Sequence, residues 1–246
     1  MTRLEISAAC AALALSASGP VVAGEVSGNV AIVSNYYFRG LTQTGNDPGL
    51  QGAVTYAADS GFYIGTSAES ISWLEDAADA YAPGRSASAS LEWDGFAGFK
   101  GNFGDSPVTF DTGVVYYGYP ADLPSGMRNP GTAEAFFGVG FGVMHAKLNY
   151  ALTDFFATPA GDDSQGSTAL EVGAAFALAP TWDASVTVGH QWLAGAPSDA
   201  DWTWWSAGVS KGFAHGFSLG AMYVDSDLDA APNEKGRFVF RAGKAF

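Results

Sequence analysis

Among 246 residues there is one cysteine, Cys10, and there are three histidines, His145, His190 and His215. A lone thiol excludes intrachain disulfide staples and cysteine-rich metal clusters, and any serine hydrolase would have to draw its base from three imidazoles. Basic residues are also scarce: 11 Lys and Arg stand against 25 Asp and Glu, a formal net charge of −14. That balance argues against a nucleic-acid partner, because phosphate recognition needs a concentrated Lys/Arg footprint. Charged residues of all kinds reach only 15%, where soluble globular domains carry about 25%. Long apolar runs are missing as well. Beyond residue 23 no stretch approaches the roughly 18 apolar residues of a transmembrane helix.

Glycine (32 residues), aromatics (14%) and hydrophobic residues overall (48%) are what the chain has in excess. A hydrophobic share of that size excludes a disordered chain. The length suits a single β domain, since barrels and sandwiches of about 200 to 250 residues commonly form one unit. The first segment reads separately. Arg3 is followed by an apolar or small-residue stretch from 6 to 18, a Gly19-Pro20 break and the compact Val21-Val22-Ala23. Residues 1–23 are therefore expected to be a secretory signal peptide, and 24–246 the mature domain. Cleavage before Gly24 would remove Cys10.

The mature chain alternates with period two. Val26, Val30 and Ile32 share one parity with Tyr36 and Phe38, while Ser27, Asn29, Asn35 and Arg39 share the other. The spacing predicts strands at 26–39, 50–57, 62–68, 89–103, 108–119, 133–141, 145–154, 167–176, 182–191, 203–213, 217–225 and 237–246. The third is short for a membrane strand, which needs roughly 9 to 11 residues. Long connections at 40–49, 69–88, 120–132, 155–166, 192–202 and 226–236 alternate with short ones near 58–61, 104–107, 142, 177–181 and 214–216. Strict alternation of long and short predicts an all-β, up-and-down antiparallel transmembrane barrel of twelve strands, with longer extracellular loops and short periplasmic turns.

Face composition separates a membrane barrel from a soluble one. One face collects Leu91, Trp93, Phe99, Phe110, Val114, Phe137, Leu148, Leu170 and Val172, and the in-strand charges fall on the other: Glu92, Asp94, Lys100, Asp111, Glu134, Lys147, Glu171, Asp183 and Arg241. These nine are the candidate lumen-lining charges. His190, Lys211 and Lys244 break the rule only near strand ends, where a charge on the lipid face costs about 0 to 1 kcal/mol against 2 to 4 at the midplane. Tyr36, Phe38, Trp93, Phe103, Trp182, Trp205, Phe213, Phe217 and Tyr223 are expected to form interfacial girdles. The final strand ends on Phe246 and resembles the terminal signature of Gram-negative outer-membrane barrels. That likeness implies two partners, outer-membrane lipid and the barrel assembly machinery.

Blocks along the whole mature chain carry a wider resemblance. Tyr36-Tyr37-Phe38-Arg39-Gly40-Leu41-Thr42-Gln43-Thr44, then Leu91-Glu92-Trp93-Asp94, Tyr150-Ala151-Leu152-Thr153-Asp154, Gly189-His190-Gln191 and the ending Lys244-Ala245-Phe246 resemble the TorF-type porin family. The resemblance implies an outer-membrane barrel with a transport role and no established catalytic set.

Within the lumen, a turn at 104–107 would set Lys100 opposite Asp111 as a cross-strand pair. Glu92, Asp94, Glu134 and Glu171 remain as an unpaired surplus toward the loops, which would favour cations over anions. Inward Phe96, Tyr117, Tyr119 and Phe136 would fill space. A hydrolase would have to use His190 with Asp225 and Asp227 at the loop rim, and no Ser joins them in a persuasive constellation. Loop acids Asp162, Asp163, Asp199, Asp201, Asp225, Asp227 and Asp229 offer oxygen ligands without EF-hand spacing. The expectation is a non-enzymatic porin of the outer membrane, free of cofactor and metal, passing small hydrophilic solutes with weak cation preference. A closed-lumen barrel acting through its acidic loops is the alternative.

Overall fold

The computed structural model describes residues 24–84, 88–156, 163–228 and 236–246. The expected signal peptide, Cys10, Asp162 and Asp229 lie outside the described residues.

In chain order the elements are β1 (Glu25–Val33), β2 (Tyr37–Phe38), β3 (Leu41–Thr42), β4 (Gly49–Ala57), β5 (Phe62–Ser70), α1 (Trp73–Tyr81), β6 (Leu91–Asn102) and β7 (Thr109–Gly118). They continue with β8 (Thr132–Phe141), β9 (Met144–Ala151), β10 (Thr168–Ala179), β11 (Trp182–Trp192), β12 (Trp202–Gly212), β13 (Phe217–Ser226) and β14 (Arg237–Ala245). β1 and β4 to β14 form one closed antiparallel barrel of twelve strands, each paired with its chain neighbour. Closure runs through β1, where Val30 stands opposite Gly52 on one side and Lys244 on the other. A closed sheet leaves no edge of unpaired N–H and C=O groups, as a spanning structure in lipid must.

Period two fixes which side chains face out. Val54, Ile64, Trp93, Phe99, Val114, Phe137, Leu148, Val188 and Phe240 are exposed on the outer wall, while the alternate positions turn inward. Six of the expected girdle residues, Trp93, Phe103, Trp182, Trp205, Phe213 and Phe217, lie on that outer wall. The outward lysines sit over rings at the turn end: Lys211 Nζ is 5.0 Å from the Trp182 ring and 5.2 Å from Phe213, and Lys244 Nζ is 4.6 Å from Phe217. Such pairing lets the aliphatic stem cover apolar surface while the ammonium stays at the rim.

Three expectations need correction. The first strand does not run to Arg39 but stops at Val33, and Tyr36 and Phe38 are inside the barrel instead of in a girdle. Asn35 breaks the ladder, because its Oδ1 accepts hydrogen bonds from Thr42 Oγ1 (2.7 Å) and Thr44 Oγ1 (3.1 Å) and pulls the connection back into the lumen. There β2 and β3 form a tight hairpin whose two central residues, Arg39 (φ 48°) and Gly40 (φ 82°), both lie at positive φ, the pattern of a type I′ turn. The short third strand is longer than expected, nine residues through Ser70, so Glu69 belongs to the wall. The connection at 69–88 contains α1, favoured by Leu, Glu and Ala in Trp73-Leu74-Glu75-Asp76-Ala77-Ala78. Leu74 and Ala78, one turn apart, are its buried face, and Glu75 and Asp76 complement the positive end of the helix dipole. Leu74 joins the buried cluster of Tyr36, Tyr117 and Tyr119, and Trp73 packs edge-on against Tyr119 at 5.5 Å between ring centres.

Candidate functional site: the lumen

Strand direction places the inward side chains in tiers. At the loop end stand Glu69, Glu92, Asp94, Tyr117, Glu134 and Gln191, all buried, and the β2–β3 hairpin fills the space between them. Arg39 at its tip crosses the lumen. Its guanidinium donates to Glu134 through Nη1 (2.9 Å to Oε1) and Nη2 (2.7 Å to Oε2), and Nη1 also reaches Gln191 Oε1 at 2.8 Å. Trp202 Nε1 donates to the Arg39 carbonyl at 2.8 Å, and Tyr117 O–H to Glu134 Oε2 at 3.3 Å. Side-chain exposures of 7% for Arg39 and 1% for Glu134 place the ion pair out of bulk water. Burial works against the Arg39 charge, and Glu134, Tyr117 and Glu171 together outweigh it, so the guanidinium is held protonated with a raised pKa. A non-glycine residue at positive φ costs about 1 to 3 kcal/mol. The two-oxygen grip on Glu134 holds Arg39 there.

Glu134 therefore does not belong to an unpaired surplus. Glu171 lies directly across from Lys147 in the β9–β10 register, and Lys147 Nζ sits 4.3 Å from the centre of the Phe136 ring. Lys100 and Asp111 are register partners as expected, yet they form no ion pair. Tyr63 intervenes: its O–H donates to Asp111 Oδ1 at 2.6 Å, and Lys100 Nζ lies 5.7 Å from the centre of its ring. Phe96, Tyr117, Tyr119 and Phe136 are buried as space-fillers, joined by Tyr36, Phe38 and Phe156 in one aromatic cluster.

Below the hairpin, toward the turns, a cavity of about 340 Å³ remains. Lys147, Glu171, Asp183, Ser185, Thr187 and Arg241 contribute polar groups to its wall, and Arg39 and Gly40 form its ceiling. Glu92 and Asp94 are not on this cavity. They cluster with Glu69, which does line it, and there Glu92 accepts Tyr36 O–H (2.9 Å) and Tyr119 O–H (2.5 Å).

Among the described residues the rim brings no catalytic dyad together. His190 Nδ1 is 2.9 Å from Thr203 Oγ1, and its ring stacks edge-on with Trp192. Asp225 accepts from Tyr223 O–H and the Ser226 N–H, and Asp227 from the Thr203 N–H, so both acids are engaged away from the imidazole. Asp201 likewise caps the Leu193 N–H.

The alternation of the sequence leaves Glu69 and Gln191 out of the lumen set and assigns Tyr36 to a girdle and Arg39 to the first strand. Continuing the alternation of Tyr63, Gly65 and Ser67 by one step would have put Glu69 inside. An Arg-Gly pair between two short apolar couples, Tyr37-Phe38 and Leu41-Thr42, is a hairpin signal that the longer alternation masked.

The model of a family described as "Bacterial protein of unknown function (Gcw_chp)" matches residues 16–244. The chain belongs to that family. No sequence among curated proteins matches it. Among solved structures the Gcw_chp barrel is similar to the KdgM porin, at 6% identity and a TM-score of 0.54 over 89% of this chain and 98% of that one. A second KdgM structure, "in complex with disordered oligogalacturonate", gives 6% identity and a TM-score of 0.51 over 90% and 97%. The "COG4313 outer membrane channel from Pseudomonas putida F1" gives 15% identity and a TM-score of 0.53 over 92% and 97%. At these identities the shared property is the fold, a closed twelve-stranded antiparallel barrel of the outer-membrane porin type.

Proposed function

We propose that this chain is a channel of the Gram-negative outer membrane that passes small hydrophilic solutes by diffusion, with a weak preference for cations. The observation that carries the reading is the cavity of about 340 Å³ below Arg39, into which Lys147, Glu171, Asp183 and Arg241 bring charge inside a wall whose outer face is apolar. Charged groups on the inside of an apolar exterior have a use in lipid that they lack in water. The resemblance to the TorF-type porin family, the expected signal peptide at 1–23 and a terminal strand ending on Phe246 for the assembly machinery support export and insertion. Fold likeness to KdgM and the Pseudomonas channel supports the same class. KdgM is described with oligogalacturonate; here carboxylates outnumber basic groups among the inward charges as a whole, while Glu69, Glu171 and Asp183 are matched by Arg39, Lys147 and Arg241 on the cavity itself, which supports a weak preference for cations and no more.

A second reading, a closed barrel acting through its surface loops, draws on the hairpin that Arg39 fastens across the lumen. Planar-bilayer recording from pure refolded protein separates the two. Reproducible conductance steps with a cation-sided reversal potential in a salt gradient support the channel. Absence of steps both in the wild type and in Arg39→Ala would sink it.

A further inference from the structure

Of three clustered acids, Glu69, Glu92 and Asp94, only Glu69 lines the cavity, and diffusion through it does not explain why they converge. Glu69 on β5 and Glu92 on β6 are direct cross-strand partners, and Ser67 and Asp94 are the next inward pair. Like charges directly opposite one another on a sheet repel. Here they do so in residues only 3%, 3% and 0% exposed for Glu69, Glu92 and Asp94. One oxygen from each of the three lies within 4.8 Å of the others. Among the described residues no Lys, Arg or His makes an ion pair with any of them. The hydrogen bonding is lopsided. Both Glu92 oxygens accept tyrosine O–H groups and Asp94 Oδ2 accepts Ser67 O–H at 3.2 Å, whereas Glu69 Oε2 and Asp94 Oδ1 have no partner. Buried acceptors left bare on adjacent carboxylates mark a place where something positively charged is missing from the account.

We propose that Glu69, Glu92 and Asp94 bind a Ca²⁺-class divalent cation at the loop end of the barrel, tying β5 to β6 behind the hairpin. An all-oxygen donor set suits a hard cation, and neither imidazole nor thiolate is present to favour zinc or a softer metal. Oxygens at about 2.3 to 2.6 Å from one calcium ion can be up to roughly 5 Å apart, which accommodates this cluster. Magnesium, with bonds of about 2.0 to 2.1 Å and a reluctance to dehydrate, suits three converging buried carboxylates less well. Tyr36 and Tyr119 orient Glu92 as outer-sphere donors, and the ion would supply the unlike charge that the Glu69–Glu92 pair lacks.

Terbium, a calcium mimic whose emission is sensitised by nearby phenol rings, tests the site on the full chain refolded in detergent. The wild type is expected to bind one Tb³⁺ per chain, excited through tyrosine and displaced by Ca²⁺ but poorly by Mg²⁺. Asp94→Asn and Glu69→Gln should each weaken binding by about 10-fold or more, while Asp199→Asn in an exposed loop should not. Tyr36→Phe and Tyr119→Phe should dim the emission, which gives a second readout if the carboxylate variants fold poorly. EDTA should lower the unfolding midpoint of the wild type and leave Glu69→Gln/Asp94→Asn unmoved. The proposal is overturned if the wild type has no saturable Ca²⁺-displaceable site. It is equally overturned if the carboxylate variants bind as tightly as wild type, or if the calcium-equilibrated wild type shows a protonated-carboxyl infrared band that Glu69→Gln/Asp94→Asn removes. None of these readouts needs conduction, so a non-conducting barrel that binds the ion would remove the channel reading and leave this one standing.

Discussion

The two ends of the lumen use charge in opposite ways. At the loop end, Arg39, Glu92, Asp94 and Glu134 are shut away from water, and each contact is geometrically specific: two oxygens of Glu134 on one guanidinium, two tyrosines on one carboxylate. At the turn end, Lys100 and Asp111 are exposed, Asp183 and Arg241 are half-buried, and the register pair Lys100–Asp111 does not even close. The contrast follows from solvation. A charge in contact with water needs no partner, so the turn end tolerates loose arrangements. A charge enclosed by the hairpin and α1 must be matched or it destabilises the fold.

Substitutions at the two ends should therefore differ in size. Arg39→Ala leaves Glu134 buried without its cation and should lower the unfolding free energy by about 3 to 5 kcal/mol. It should also raise single-channel conductance, because the hairpin loses its anchor. Urea titration in micelles and bilayer recording check the two effects, and Arg39→Ala/Glu134→Gln should recover part of the stability but not the wild-type conductance. Gly40→Ala comes next. A Cβ there would sit 2.5 Å from Trp204 Cβ at a φ of 82°, so a loss of about 1 to 3 kcal/mol is expected, with conductance rising in the same direction. An unfolding midpoint equal to wild type would show that the hairpin does not need its tight turn.

At the turn end, Asp183→Asn on the cavity wall should cost less than about 1 kcal/mol, in keeping with a partly solvated charge. Its effect should appear in the reversal potential, shifted toward anions. Lys100→Met should do least, within about 0.5 kcal/mol of wild type, since no ion pair is lost. A larger loss on Lys100→Met than on Gly40→Ala would invert the comparison between the two ends.

Much of the wall was legible in the residue order. The period of two through Leu91-Glu92-Trp93-Asp94 assigns Trp93 to the outside and Glu92 to the inside without any coordinate, because successive side chains on a pleated strand must point to opposite faces. The lengths of the connections predicted the order of loops and turns, and with it twelve strands. The same rule misassigned Tyr36 and Phe38. Alternation persists in 34–38, but it is alternation within a segment that has left the wall, and period alone does not report which sheet a strand belongs to.

What the sequence determined by itself, then, are relations within the wall strands and between successive ones: the alternation of faces, the antiparallel order, even the Lys100–Asp111 register. What only the tertiary structure decided is who meets whom across the lumen. Arg39 and Glu134 are 95 residues apart, and Arg39 and Gln191 are 152 apart. Closing the barrel brings their strands around a common axis, and the inward hairpin then fills that axis. The separation of the acids into a paired Glu134 and the cluster of Glu69, Glu92 and Asp94 depends on where one guanidinium can reach. Reach is a property of three-dimensional distance, which neither periodicity nor composition encodes.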